Sequence, residues 1–290
     1  MRHIHWLALI VLSALLAACP QAEPGDNPPV SNPAVSSTTT DTAAQTEIPA
    51  GGAVTVWAEV LLEKPLTALA DDFEAQYAGG WQIEFMERGE MLAAITADQP
   101  SELPAVLLFA DTQVRDQLFE HDLIDEATLR TFAGDVLALA QIKDGLYATG
   151  SLYDVYKAPF NKLLIGSPQT AVGYFGEQAL ISEGCFSRVE DRLQIIDGTA
   201  KLIDSLLTEE KVVGLVMASQ VVQSGELEVM TMVSERTHED IRYSAVATLG
   251  HGGGAGVMEL LRFLAEDEAV QLKLEGYGLL NRETALRIDQ

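Results

Sequence analysis

Short runs of apolar residues alternate along the chain with stretches in which apolar positions recur every three or four residues. The runs predict buried strands, and the recurring positions predict helices with one apolar face. The predicted strands are 53–58, 81–85, 104–110, 163–166, 193–196, 212–217 and 243–248. The predicted helices are 65–73, 91–95, 174–181, 200–207 and 257–264. Because strand and helix alternate throughout, the pattern favours parallel α/β layers with right-handed crossovers.

The N-terminus predicts an exported protein. Residues 6–15 form an uncharged apolar run after a short basic start, which is typical of a signal peptide, and the run is shorter than the ~20 residues of a membrane-spanning helix. It ends in Leu16-Ala17-Ala18-Cys19, which resembles the lipobox of bacterial lipoproteins. The resemblance implies a signal peptide over 1–18 and a lipid on Cys19. The alternative is an ordinary secretory peptide with an incidental cysteine.

Residues 19–52 predict a disordered tether between the lipid and the folded part. They are rich in Pro, Ser, Thr, Ala and Gly and bury too little apolar surface to offset chain entropy. Pro20 stands where many Gram-negative lipoproteins retained at the inner membrane have Asp. We therefore expect a cell-envelope protein that faces the periplasm or the extracellular side, with the outer membrane as its destination in a Gram-negative host.

Charge narrows the class of partner. The chain carries a net charge of -25, and removing the leader with its single Arg2 makes the mature chain -26. Such a surface repels nucleic acid and anionic lipid, so we expect no nucleic-acid partner and membrane attachment through the lipid alone. The remaining stretch of about 240 residues is long enough for two lobes.

The sequence does not predict an enzyme, a metal site or a cofactor. The histidines outside the leader, His121, His238 and His251, lack metal-ligand spacing. The run that begins at His251 and continues through three glycines looks like the oxyanion-hole segment of some esterases, but no Gly-x-Ser-x-Gly motif accompanies it, which favours a simple turn. Lipidation of Cys19 leaves Cys185 without a disulfide partner, and we expect Cys185 to be a semi-buried apolar residue.

Six motifs carry a family resemblance over nearly the whole folded part. They are Val54-Thr55-Val56-Trp57-Ala58, the helix with Leu66, Leu69 and Phe73, Ile165-Gly166-Ser167-Pro168-Gln169-Thr170, Gly173 with Glu177-Gln178-Ala179-Leu180, Gly214-Leu215-Val216-Met217-Ala218-Ser219, and Gly276-Tyr277-Gly278-Leu279. Their order and spacing resemble the periplasmic molybdate-binding proteins that feed ABC transporters.

The resemblance implies an α/β, two-lobed type II periplasmic-binding-protein fold, with a mostly parallel sheet flanked by helices in each lobe. It places the lobes at 53–137 with 243–290 and at 138–242, joined by crossings near 136–140 and 242–244. It also implies a small-molecule ligand in the cleft between the lobes, with an oxyanion among the candidates. An ABC permease is the expected partner of a monomeric receptor.

The ligand positions of that family depart from its pattern in this chain. Family members hold a tetrahedral oxyanion with two serine hydroxyls, a tyrosine hydroxyl and main-chain amides. The hydroxyl positions fall on Leu61, Gly89 and Met217, and the amide positions fall on Val172 and Thr199. Hydrogen bonds to charged partners contribute ~1.5–3 kcal/mol each, so three losses would cost on the order of 5–9 kcal/mol. We therefore expect weak or absent molybdate binding.

Arg88, next to Gly89, leaves two interpretations open. Its guanidinium could pair with an oxyanion through two hydrogen bonds, although Glu59 and Glu87 on the same two loops would repel that anion. The alternative is a solvated loop charge paired with Glu87 or Glu90, which the sequence favours.

Two functional hypotheses follow from the sequence. The first is a lipid-anchored solute-binding protein whose ligand is no longer molybdate. The second is a receptor-like scaffold or sensor lipoprotein of the cell envelope that has lost ligand binding. Whether the cleft retains any ligand distinguishes the two.

Overall fold

The structure is a computed structural model that describes residues 52–97 and 102–287. The predicted signal peptide, the lipidated Cys19 and all of the tether except Gly52 lie outside the described residues. Within the described ranges, none of the helices is both long and apolar enough to cross a membrane.

Eleven strands and eleven α-helices make up the described part of the chain. The strands are β1 (Val54–Glu59), β2 (Trp81–Met86), β3 (Val106–Phe109), β4 (Arg130–Gly134), β5 (Leu137–Ile142), β6 (Lys162–Gly166), β7 (Leu193–Ile196), β8 (Val212–Met217), β9 (Leu227–Met232), β10 (Arg242–Ala247) and β11 (Leu280–Asn281). The helices are α1 (Glu63–Ala68), α2 (Ala70–Gln76), α3 (Arg88–Ile95), α4 (Thr112–Glu120), α5 (Ala171–Ser182), α6 (Phe186–Val189), α7 (Thr199–Thr208), α8 (Ala218–Ser224), α9 (Ala255–Glu266), α10 (Glu268–Gly276) and α11 (Arg282–Arg287). A short 3₁₀ helix, Val60–Leu62, connects β1 to α1.

The strands form two sheets. Read from β2 and from β7, the two sheets share one arrangement of five strands, and the first sheet has β11 as an additional edge strand. The first sheet has the order β11-β4-β10-β3-β1-β2, and the second has the order β7-β6-β8-β5-β9. In the first sheet β1 pairs in parallel with β2 and β3, whereas β10 pairs antiparallel with β3 and β4. In the second sheet β6 pairs in parallel with β7 and β8, whereas β5 pairs antiparallel with β8 and β9. Each sheet therefore contains one reversed strand in its interior.

The chain passes between the sheets twice. It leaves the first sheet after β4 and enters the second at β5, and it returns between β9 and β10. The predicted α/β class with mostly parallel strands is confirmed, since β1 to β4 share one direction and β6 to β9 share another. The exact lobe boundaries stay a prediction.

The apolar runs that predicted strands form the core. All four residues of β3 and all six of β8 are buried, which is typical of strands covered on both faces. Phe73 packs against Trp81 and Phe263 beneath the first sheet. Cys185 is fully buried rather than semi-buried, because it lies in the core cluster beside α5, with its sulfur 3.6 Å from the carbonyl oxygen of Leu180.

Candidate functional site

The predicted ligand positions lie at the ends of strands or at the starts of the helices that follow them. Because parallel strands place their carboxyl ends at one edge, the loops after these strands form the crevice where ligands bind in open α/β sheets. The residues are Leu61 in the 3₁₀ helix after β1, Arg88 and Gly89 at the start of α3, Val172 in the first turn of α5, Thr199 at the start of α7, and Met217 at the end of β8. All six are buried.

Glu87 joins the first lobe to the second. It lies between β2 and α3, and its carboxylate accepts hydrogen bonds from the Thr199 main-chain N–H at 2.6 Å and from the Thr199 hydroxyl at 2.9 Å. Thr199 opens α7, where unpaired N–H groups and the helix dipole favour a negative charge. Burial raises the pKa of Glu87, and the two hydrogen bonds from Thr199 act in the opposite direction.

Sequence reasoning missed this role of Glu87. It treated the side chain as a charge that would repel an anion or as a surface partner of Arg88. The partner, Thr199, lies 112 residues further along the chain. No local pattern indicates such a contact. The one available signal was that Glu87 lies two residues before Gly89, which the family resemblance places at the ligand.

Gly89 makes the second bridge between the lobes. Its N–H donates to the carbonyl oxygen of Gln169 at 2.7 Å. A Cβ atom at residue 89 would lie 2.0 Å from Oε1 of Gln169 and 3.0 Å from its Cβ. The space that a serine side chain would need is therefore filled by Gln169.

Arg88 makes the third bridge. The residue is only 4% exposed, and its Nε donates to Asp111 at 2.9 Å. Its Nη1 donates to the carbonyl oxygen of Pro168 at 3.1 Å, and Nη2 donates to Gln113. The guanidinium carbon lies 3.8 Å from the centre of the Tyr174 ring, within the range of a cation–π interaction.

The favoured interpretation of Arg88 as a solvated charge paired with Glu87 or Glu90 is wrong. Its partner is the buried Asp111, which the sequence could not identify because the two residues come together only when α3 and α4 pack side by side. All three guanidinium nitrogens donate to protein oxygens.

Two buried carboxyl groups lie near the crossing segments. Glu59, at the end of β1, is 1% exposed, and burial followed by the charge of Asp111 raises its pKa to about 8. Its Oε1 accepts from the Ala110 N–H at 3.0 Å, whereas its Oε2 has no hydrogen-bond partner among the described residues. Because its pKa lies above 7, Glu59 is largely neutral at pH 7.

Asp135, between β4 and β5, is the second buried carboxyl group. Burial raises its pKa to about 7, although Asp135 accepts hydrogen bonds from Ser219.

Glu239 links the return crossing to both lobes. It lies between β9 and β10, accepts from the Thr112 N–H at 3.2 Å and exchanges two hydrogen bonds of 3.0 Å with Gln178. Burial alone would raise the pKa of Glu239, but hydrogen bonds from Thr112, Tyr174 and Gln178 bring it below its usual value. Glu239 is therefore an ionised carboxylate at neutral pH.

A cavity of about 240 Å³ remains between the lobes beside Thr199. Its wall combines the apolar Leu61 and Ile203 with the side chains of Lys64 and Gln220. Leu61 and Thr199 therefore line the same space. Met217 and Val172 instead lie in the core cluster with no exposed surface. The described residues contain no group of three His, Cys, Asp or Glu side chains that could hold a metal ion.

Comparison with known proteins identifies several relatives. The model of the family described as bacterial extracellular solute-binding protein matches residues 54–280. The molybdate-binding protein ModA of Escherichia coli K12 is 22% identical over 234 residues, which cover 78% of this chain and 88% of that protein.

Solved structures resemble the whole folded part. The periplasmic molybdate-binding protein of Azotobacter vinelandii superposes with a TM-score of 0.65 at 18% identity and covers 78% of this chain and 98% of its own. The sulfate-binding protein SubI of Mycobacterium tuberculosis superposes with a TM-score of 0.63 at 12% identity and covers 82% and 90%. These likenesses confirm the predicted two-lobed α/β fold. The relatives are named as binding proteins rather than as enzymes.

Proposed function

The chain belongs to the family of bacterial extracellular solute-binding proteins, and from this premise we propose that it is a lipid-anchored receptor of an ABC importer whose ligand is not molybdate. The lipid is attached to Cys19, and the solute lies between a lobe of 53–137 with 243–290 and a lobe of 138–242. The receptor is a monomer that delivers its solute to an ABC permease.

The observation that carries the altered specificity is the loss of hydroxyl donors from the cleft. Leu61 and Met217 are buried apolar side chains, and the space at Gly89 is filled by Gln169. A buried dianion needs a matched set of donors to replace its lost hydration. Three missing donors at ~1.5–3 kcal/mol each correspond to a loss of roughly a thousandfold to a millionfold in affinity.

Isothermal titration with molybdate and tungstate tests this proposal. The protein is the mature chain with Cys19→Ser, which keeps it free of lipid, and the E. coli molybdate-binding protein serves as the positive control. We expect no heat of binding for this chain under conditions in which the control titrates fully. Submicromolar binding of either anion would overturn the proposal.

The lipid anchor is tested separately, by labelling cells with radioactive palmitate. We expect label on the wild-type protein and none on the Cys19→Ser variant, which should also appear in the soluble envelope fraction. Equal labelling of the two proteins would exclude Cys19 as the attachment point.

A second candidate function is a scaffold or sensor that binds no solute. The contacts of Glu87, Arg88 and Gly89 favour it, because they join the two lobes through the protein's own groups. Native mass spectrometry of gently purified protein, together with a thermal-shift screen of small solutes, distinguishes the candidates. Retained or stabilising solute supports the receptor, and its absence across the screen supports the scaffold.

A further inference from the structure

Glu87 presents its carboxylate to α7 as a bound anion would. Both oxygens are engaged by one residue, since Oε1 accepts from the Thr199 N–H at 2.6 Å and Oε2 accepts from the Thr199 hydroxyl at 2.9 Å. Charge-assisted hydrogen bonds of this kind are stronger than those between neutral groups. The main-chain N–H of Thr199 is also one of the donors that the family resemblance assigned to the oxyanion.

The backbone around Glu87 is held in place for this contact. The Glu87 N–H donates to Oε2 of Glu90 at 2.9 Å, and the main-chain carbonyl oxygen of Glu87 accepts from the N–H of Glu90 at 3.0 Å. These hydrogen bonds fix the backbone of Glu87 at the start of α3, from which its side chain contacts α7.

The next two residues cross to the second lobe in the same way. Arg88 donates to the carbonyl oxygen of Pro168 and Gly89 donates to that of Gln169. Three consecutive residues of the first lobe thus bond to the loop before α5 and to the first residue of α7.

We propose that Glu87 is a specificity-determining residue that acts as an internal substitute for the anionic group of a solute. Its carboxylate occupies the start of α7, holds the two lobes together, and excludes oxyanions and carboxylates from that position. This inference rests on the proposed function, because it explains how the anion position of the cleft is lost to external ligands.

Removal of the Glu87 carboxylate followed by chemical rescue tests the inference. In Glu87→Ala we expect a larger radius of gyration by small-angle X-ray scattering and faster amide hydrogen exchange at the start of α7. Acetate should reverse both changes, because it returns a carboxylate to the vacated position, whereas chloride at matched ionic strength should not. Acetate should also bind Glu87→Ala about tenfold or more tightly than it binds wild type, as expected for restored charge-assisted hydrogen bonds.

Glu84→Ala is the matched control, because it removes the same charge from an exposed position on β2. It should behave as wild type in every measurement. Glu87→Gln provides a second variant if Glu87→Ala proves too unstable to purify. Its amide keeps one acceptor oxygen and loses the charge, so exchange at the start of α7 should be faster than in wild type, by less than complete removal would cause.

The inference is overturned if the Glu87 variants match Glu84→Ala in radius and exchange, or if acetate acts no differently from chloride. Failure of the proposed function has a different signature. Submicromolar molybdate binding by the wild-type protein would refute the altered specificity, whatever the Glu87 variants do. Absence of molybdate binding together with unchanged Glu87 variants would refute only the internal substitute.

Discussion

Arg88 and Asp111 form a buried ion pair whose two members are each costly to leave alone. Their side chains are 5% and 0% exposed, and the Nε–Oδ2 distance is 2.9 Å. Breaking a buried pair by removing one partner leaves an uncompensated charge, at a cost of about 3–5 kcal/mol.

Arg88→Met should therefore lower the free energy of unfolding by about 3–5 kcal/mol in urea titrations followed by circular dichroism. Adding Asp111→Asn should recover part of the loss, since Asn can still accept from the Val114 N–H. The control is Arg115→Met, which breaks a surface pair with Asp116 and should cost no more than ~1 kcal/mol. Similar losses for Arg88→Met and Arg115→Met would contradict this account.

Glu59 makes stability depend on pH. Its pKa is about 8 in the folded protein, against an ordinary value of 4.5, so the folded state holds a proton that the unfolded state releases. The free energy of unfolding should therefore fall as the pH rises from about 4.5 to about 8, by up to about 1.4 kcal/mol per unit. Asp135, with a pKa raised to about 7, acts in the same direction.

Glu59→Gln should reduce this slope without abolishing it, because Asp135 still titrates. The amide oxygen can keep the hydrogen bond from the Ala110 N–H. Urea midpoints at pH 5, 6, 7 and 8 measure the effect, and the variant should gain most relative to wild type at pH 8. An unchanged slope would show that Glu59 does not carry the buried proton.

At the scale of residues, the sequence predicted which hydrogen-bond donors are missing better than it predicted which residues contact one another. It indicated that Leu61, Gly89 and Met217 cannot donate hydroxyl hydrogen bonds, because this follows from residue type alone. It missed the partners of Arg88 and Glu87, because Asp111 comes close only when α3 packs against α4, and Thr199 lies 112 residues beyond Glu87.

The start of α3 packs closely against the loop before α5 because Gly89 has no side chain. Gly89→Ala would place a Cβ 2.0 Å from Oε1 of Gln169, so Gln169 must move. The clashing oxygen is the end of a flexible and exposed side chain, so we expect Gly89→Ala to cost only about 1 kcal/mol, the low end of overpacking.

Adding Gln169→Ala should restore part of that stability, since it removes the nearest atoms. Gly150→Ala is the control, because a Cβ there meets nothing within 4 Å. Thermal melts of the four proteins measure these differences. A Gly89→Ala protein as stable as Gly150→Ala would mean that α3 shifts freely.

At the scale of elements, buried runs were the best guide. The predicted strands 193–196 and 212–217 match β7 and β8 residue for residue. The strand β9 and the helix α4 were not predicted, because β9 is a half-buried edge strand and α4 has a largely polar sequence. The reversal of β5 and β10 was also beyond reach, since periodicity carries no information on strand direction.

At the scale of the whole molecule, the acidic charge should set the response to salt. The chain has 43 acidic and 18 basic residues, and such an excess destabilises the folded state through repulsion. Potassium chloride shortens the screening length from ~30 Å at 0.01 M to ~10 Å at 0.1 M, so stability should rise. A gain of about 1 kcal/mol corresponds to an increase of about 2–4 °C in Tm.

Scanning calorimetry across a chloride series measures this effect. Sulfate is avoided because it resembles the anions of the solute-binding relatives and because it stabilises folded proteins by exclusion from their surface. A Tm that stays constant or falls with chloride would contradict the dominance of repulsion.

The fold and family were the features best predicted from the sequence. The resemblance drawn from six motifs covers residues 54–279, and the family model matches 54–280. The order of elements decides the topology, whereas the contents of the cleft depend on single side chains, which explains why the family was evident and the internal contacts were not.

The position of β10 between β3 and β4 has a consequence for biosynthesis. β1 to β4 emerge first, yet β4 has no neighbour in the first sheet until residues 242–247 follow, because β10 lies between β3 and β4. The second sheet has all its strands in one uninterrupted stretch, from Leu137 to Met232. The first sheet, although begun earlier, therefore lacks a central strand until every strand of the second sheet has emerged.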